Sequence, residues 1–156
     1  MRPVEETPTT PVDYATLSAG YGALLGALVL GARDQADPVV REEIPALALA
    51  TFALSKLIAK EKVENWMREP FVEETPQGRR PKGTGMRYAI GELLTCTRCV
   101  GAWSSLGLVA LRVTRPREAK VVTAVLATSA LNDFLQTGFT WACTQANERS
   151  VRSPGE

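Results

Sequence analysis

A chain of 156 residues has room for one domain and no second core. Its 18 lysines and arginines nearly cancel its 17 aspartates and glutamates, which excludes the global positive field that holds nucleic acid. Histidine is absent, removing the commonest general base and metal ligand, and three cysteines cannot all pair within one chain, so this is not a secreted disulfide scaffold. A charged fraction of 22% and a mean hydropathy of -0.05 suit a soluble protein and are the main argument against a membrane location.

Residues 1–13 carry Pro3, Pro8 and Pro11 with Glu5, Glu6 and Asp13, the composition of a disordered arm. Tyr14 to Ala32 then runs without a charge, long enough at about 1.5 Å per residue to cross a hydrocarbon core of roughly 30 Å. Ala19, Ala23, Ala27 and Gly31 recur every fourth residue beside Gly22 and Gly26, so this helix has a small-residue face suited to a homo-oligomer or a neighbouring helix. A packed Ala/Gly-rich helix and a cleaved signal peptide are the alternatives, though acidic residues precede the apolar run and only Arg2 supplies positive charge.

A charged connector, Arg33 to Glu43, leads to Ile44-Pro45 at the start of a second helix. That helix is uncharged from Ala46 to Ser55, and Lys56 and Lys60 near its end can carry their ammonium groups to a membrane surface. Glu61 to Phe71, with Val63, Trp66 and Met67 between charges, reads as an interfacial continuation ended by Pro70. Glu73 to Gly85 combines prolines, glycines and basic side chains and reads as a mobile loop. A third helix is expected from near Tyr88 through the cysteine pair to Leu111, a fourth from Ala119 to Asn147, and a polar tail over 148–156. The expected fold is all-α: a small multi-pass transmembrane bundle of about four helices, one domain over 14–147, with a basic loop at about 61–90.

Four spans leave three loops, and the middle one, with Lys56 and Arg98 at its flanks, holds half of the 18 basic residues. The positive-inside rule then puts that loop and both termini in the cytoplasm, and Cys96, Cys99 and Cys143 near one membrane face. On the fourth helix Ser129, Asp133, Gln136, Thr140, Cys143 and Asn147 step by three or four residues into a polar seam. In a membrane that seam must face other helices, with Asp133 and Gln136 as intramembrane polar groups and Ser104 and Ser105 at a similar depth. In a soluble bundle it is the wet side of an amphipathic helix.

Cys96 and Cys99 share a helix face with Glu92 one turn before and Trp103 one turn after. Three readings stay open: buried thiols that simply pack, a thiol redox pair, or a metal site. Zinc would need four ligands, and the best set here is Cys96, Cys99, Cys143 and Glu92, which is incomplete by the usual pattern. No cofactor is otherwise expected. No hydrolytic triad, phosphate loop or catalytic carboxylate pair can be assembled, so no catalytic residue is assigned.

Ala48 to Lys60, Glu61-Lys62-Val63, Arg68-Glu69-Pro70-Phe71 and Cys96-Thr97-Arg98-Cys99-Val100-Gly101-Ala102-Trp103 together resemble an uncharacterised bacterial family catalogued as domain of unknown function 1360. The resemblance spans roughly 45–140, so the first apolar helix lies outside it. It implies a small bacterial cell-membrane protein with three family helices and points to Arg68, Pro70, Phe71, Cys96, Cys99, Gly101 and Trp103. It brings no activity. A charged Arg98 between the cysteines departs from the pattern and argues against deep burial of the pair. The leading expectation is a non-enzymatic membrane protein whose basic face holds a protein partner or anionic lipid. A metal or thiol-redox protein and a soluble helical adaptor are the alternatives.

Overall fold

Six helices and one β-hairpin make up the described residues, 6–33, 37–62 and 64–152, of a computed structural model. The first five residues of the expected arm, part of the charged connector, Val63 and the last four residues of the tail lie outside that description. Helix α1 (Pro11–Ala32) opens on a proline, whose missing N–H is no loss at a first position. The Asp13 carboxylate accepts hydrogen bonds from the Thr10 N–H at 2.8 Å and the Thr10 hydroxyl at 2.9 Å. The arm predicted for 1–13 is therefore shorter than expected: its last three residues are helical, and the Pro8 carbonyl accepts the Gly85 N–H at 2.8 Å.

Helix α2 (Ile44–Lys60) lies at the centre, packed against α5 (Thr97–Thr114) and the long α6 (Pro116–Arg152). Leu47 and Ala50 of α2 meet Leu108 of α5, with Val39, Leu54, Val109 and Leu126 around them. The facing positions are small: Ala50 and Ala130 are both wholly buried, and Gly101 sits opposite Ser55, so the helix backbones approach closely. Between α2 and α5 run the short α3 (Asn65–Arg68), the strands β1 (Val72–Thr75) and β2 (Gly78–Pro81), and α4 (Gly85–Thr95).

Contacts set the helix directions. Leu47 meets Leu108 while Ser55 meets Gly101, so α2 and α5 are antiparallel. Glu43 and Ala46 lie beside Ala119 and Thr123, and Lys56 binds Asp133, so α2 and α6 run the same way. Tyr14 reaches Glu92 and Tyr21 packs on Trp103, so α1 follows α5. The start of α1, the end of α2, the hairpin and the start of α5 share one end of the molecule, here the hairpin end.

That end is built on the last turn of α2, whose carbonyls have no helical N–H to accept. Glu61 N–H reaches Leu57 O; Arg68 donates to Ile58 O and, at 2.6 Å, to Glu61 O; Arg79 donates to Ala59 O at 2.5 Å and Lys60 O at 2.9 Å. Two guanidiniums thus satisfy the end of one helix, where its dipole also favours positive charge. Arg68 is the largest fully buried side chain, at 1% exposure.

The hairpin corrects the mobile loop predicted for Glu73–Gly85, while the all-α expectation fits the chain as a whole, which is mostly helical with one short two-stranded sheet added. Glu73 pairs with Arg80 and Glu74 with Arg79 across the strands, and Glu74 and Arg79 form an ion pair at 3.1 Å. Pro76 and Gln77 make the turn, and Gly78 takes a φ of +123° that other residues rarely adopt. Below the hairpin, Gly91 of α4 faces the Phe71 carbonyl, which a Cβ would meet at 2.5 Å.

Two helices also differ from expectation. The third is broken: α4 and α5 meet at an 88° bend where Cys96 adopts an extended conformation. The fourth starts at Pro116 and continues through Arg152, so part of the predicted polar tail is helical. By length and composition α1 is apolar enough to cross a membrane, and the α4–α5 pair passes only if the bent pair is counted as one span. No residue of α1 is buried. The chain's accessible surface of 10949 Å² exceeds the ~7,700 Å² expected of a compact soluble monomer of 16.9 kDa. Leu24, Leu25, Val29 and Leu30 on α1 and Val121, Val125, Leu135, Phe139 and Trp141 on α6 are among the exposed side chains.

At the opposite end Arg112, largely buried, binds Glu43 at 2.8 Å and Asp37 at 3.1 Å. Its hydrogen bonds hold both carboxyls below their ordinary values. Carboxyls depressed in the folded state contribute stability above their unfolded values and lose it as pH falls through the folded ones. Thermal unfolding in mild detergent should therefore show a lower midpoint at acid pH than at neutrality, and the Arg112→Met variant should lose part of that pH dependence.

Two substitutions test the hairpin end. Replacing Arg68 with Met removes two charge-assisted hydrogen bonds, each worth about 1.5–3 kcal/mol, and should lower the unfolding midpoint strongly. Arg68→Lys should recover little, because an ammonium lacks the rigid planar fork that reaches both carbonyls from separate nitrogens. Gly91→Ala should cost about 1–3 kcal/mol by overpacking against the Phe71 carbonyl. An unchanged midpoint in the Arg68 variants would refute the capping role.

Candidate functional site

Cys96 occupies the junction of α4 and α5 and caps both. Its N–H closes α4 onto the Glu92 and Leu93 carbonyls, at 3.1 and 3.2 Å, while its sulfur accepts the Cys99 N–H at 3.4 Å as the N-cap of α5. The Cys99 thiol also points at it, with the two sulfurs 2.9 Å apart. Both thiols are unbonded to one another and half-buried, so Arg98, which is exposed, does not stop the pair from being partly covered. The Cys96 thiol is lowered from its ordinary pKa, first by the Cys99 thiol and then by backbone N–H groups and the Arg98 charge, against the opposing effect of burial.

Around the pair, α1 closes one side. Tyr14 donates a short hydrogen bond to the Glu92 carboxylate, and Tyr21 packs edge-on against Trp103 with ring centroids 5.4 Å apart. Leu17, Ser18, Tyr21, Leu93, Cys99, Ala102 and Trp103 line a cleft of about 280 Å³. Glu92 and Trp103 lie on either side of the cysteines but on two helices that meet at a bend rather than on one helix face, and Glu92 is engaged by Tyr14. Cys143 is exposed on the outer half of α6. Among the described residues no group of three or more Cys, Asp or Glu could hold a metal ion, so the four-ligand zinc set predicted from the sequence is not assembled.

The polar seam of α6 is also redistributed. Asp133 forms an ion pair with Lys56 at 2.9 Å rather than bonding Ser104 or Ser105. Ser105 instead donates to the Ala102 carbonyl. At about 1.5 Å per residue Asp133 lies roughly 26 Å from the start of α6, close to the hairpin end rather than halfway along a layer about 30 Å thick. Ser129, Gln136, Thr140 and Cys143 are exposed, so only part of the seam meets another helix of this chain. Phe134 stacks on Phe52 beside it, centroids 5.1 Å apart.

The Arg-x-Pro-Phe segment is structural in this geometry. Arg68 caps α2, the Pro70 carbonyl accepts two bonds from Arg87 at 2.9 and 2.7 Å, and the Phe71 carbonyl accepts the Lys82 N–H at 2.7 Å. Gly101 lies at the α2–α5 contact. Sequence reasoning misses Arg79, Gly91, Tyr14 and Tyr21. The one signal for Arg79 is Glu73-Glu74 standing opposite Arg79-Arg80 across a Pro-Gln-Gly turn, a charge pairing that marks a hairpin.

The basic residues of the hairpin end fall into two groups. Arg68, Arg79, Lys82 and Arg87 donate to backbone carbonyls and Lys56 pairs with Asp133. Lys60, Lys62, Arg80 and Arg98 project from the surface.

No solved structure matches the chain. It is 31% identical over 103 residues to the sporulation protein YjcA of Bacillus subtilis (strain 168), an overlap covering 60% of this chain and 87% of that one. The profile of DUF1360, described as a protein of unknown function, matches residues 46–139, which run from the start of α2 past Asp133 and include both the arginine caps and the cysteine junction. The chain belongs to the DUF1360 family.

Proposed function

We propose that this protein is a small multi-pass membrane protein whose hairpin end is a rigid basic platform in the cytoplasm that holds anionic lipid or an acidic partner. The observation that carries this reading is α1: an apolar helix with none of its residues buried, attached to the rest through its first half. In water such a surface has no partner; in a bilayer it faces hydrocarbon, and its alanine and glycine face leaves room for another helix or a second copy. The alternating directions of α1, α2, α5 and α6 support a four-span arrangement with both termini on the hairpin side. The exposed basic residues Lys60, Lys62, Arg80 and Arg98 at that end favour a cytoplasmic orientation. The relative's name adds a setting, sporulation, and no chemistry.

Membrane fractions washed with alkaline carbonate should retain the protein, and a thiol reagent applied from the cytoplasmic side should reach Cys143. Release by carbonate, with a monodisperse protein in the absence of detergent, would instead establish the soluble adaptor. Basic side chains near an anionic surface contribute about 1 kcal/mol each, so replacing Lys60, Lys62 and Arg80 with Gln should weaken retention of phosphatidylglycerol on the order of 100-fold. Native mass spectrometry from mixed micelles would read that loss, and equal retention of anionic and zwitterionic lipid by the unsubstituted protein would refute the lipid platform.

A further inference from the structure

We infer that Cys96 and Cys99 form a thiol–disulfide exchange centre, with Cys96 as the attacking sulfur, Cys99 as the resolving one, and a disulfide-bearing molecule as the substrate class. The inference rests on how the two sulfurs are placed. Cys96 stands at the N-cap of an 18-residue helix, where the Cys99 N–H and the Cys99 thiol both point at its sulfur, so negative charge there is stabilised by two donors and by the helix dipole. Cys99, one turn on, is held with its sulfur 2.9 Å away. A disulfide needs a separation of about 2.05 Å, so the two sulfurs need approach by only roughly 0.9 Å to close it.

The surroundings provide access. The cleft of about 280 Å³ between α1, α4 and α5 is lined by Cys99 together with Tyr21 and Trp103, leaving room beside the Cys99 sulfur for an apolar group of the incoming molecule. Arg98, exposed between the cysteines, adds positive charge near the attacking sulfur.

The exchange balances. The Cys96 thiolate attacks one sulfur of the substrate disulfide, forming a mixed disulfide and releasing the other substrate sulfur as a thiolate, which takes a proton from solvent. Cys99 then gives up its proton and attacks the Cys96 sulfur, expelling the second substrate thiolate. The substrate disulfide has gained two electrons, and the protein has lost them as the Cys96–Cys99 bond. An oxidised pair meeting a dithiol runs the same steps in reverse.

The test uses the full chain in mild detergent, with Cys143→Ser throughout so that the exposed third thiol does not report. The reduced protein is mixed anaerobically with excess glutathione disulfide and weighed intact. The Cys143→Ser protein should lose two hydrogens and keep no glutathione. Adding Cys99→Ser should trap one glutathione on Cys96, while adding Cys96→Ser should slow modification of Cys99 at least roughly tenfold. Alkylation of the Cys143→Ser protein should rise with pH at a midpoint below that of a free thiol, because the thiolate is the reacting form. Glutathione retained on the Cys143→Ser protein without an internal disulfide would overturn the exchange centre, and equal rates for the two single thiols would overturn the assignment of Cys96. Neither outcome bears on the membrane location, which carbonate extraction decides separately.

Discussion

Four carbonyls at the end of α2, with that of Glu61 just beyond, must find donors, and the rest of the hairpin end follows from how they do. Had Glu61 continued the helix, the next N–H groups would have accepted that task. Instead the chain turns out at Glu61, and two arginines from later in the sequence reach back. Arg68 does so from a short helix seven residues on, and Arg79 from the second strand of the hairpin. Because each guanidinium presents several donors in a rigid fork, one side chain can bind two carbonyls and fix its own strand or turn relative to the helix. The hairpin is thereby locked to α2.

From that lock the remaining contacts follow in sequence. The turn after Arg68 exposes the Pro70 and Phe71 carbonyls to α4, where Arg87 takes the first. The Phe71 carbonyl is paired with Lys82 N–H of the hairpin and lies so close to α4 that only glycine fits at Gly91. With α4 held flat beneath the hairpin, α5 cannot continue in the same direction and still pack on α2. The chain must bend, and it bends at Cys96. The cysteine junction is thus the last consequence of a geometry that begins with the capping of α2, and the most demanding positions, Arg68, Gly91 and Cys96, are spread along the chain but serve one arrangement.

Periodicity and charge are enough to locate the long helices, because an apolar run of about twenty residues and a proline at a helix start are local signals. The span of α2 and the start of α1 within three residues are legible that way. The hairpin is not, because Glu73-Glu74 and Arg79-Arg80 lack the apolar alternation of an ordinary strand and their pairing depends on charges brought together by a turn. The break at Cys96 is hidden for a different reason: α4 and α5 have continuous helical composition, and only tertiary packing decides that they part. The arginine caps are invisible to local reading as well, since Arg68 in sequence looks like one charge of an interfacial face. Among the described residues the zinc candidates are not gathered into one group, since residues near one surface need not be near each other.

The choice of residue at the junction is itself informative. Serine, threonine, aspartate and asparagine are the usual N-caps because oxygen accepts a backbone N–H well, and sulfur is a weak acceptor. At 3.4 Å the contact from Cys99 N–H to the Cys96 sulfur is a poor cap compared with what a hydroxyl in the same place would make. A bend whose only purpose was to end one helix and start another would be better served by oxygen, while α2 shows that this chain can satisfy a helix end in full. Packing alone leaves the pairing of the two thiols without a purpose, since both are only half-buried and Cys99 borders a cleft. What sulfur gains at this position is acidity and a neighbour within reach of a covalent bond, and the second is lost if either cysteine becomes serine. The junction exchanges some capping strength for reactivity, which is what the proposed exchange with a disulfide-bearing molecule would use.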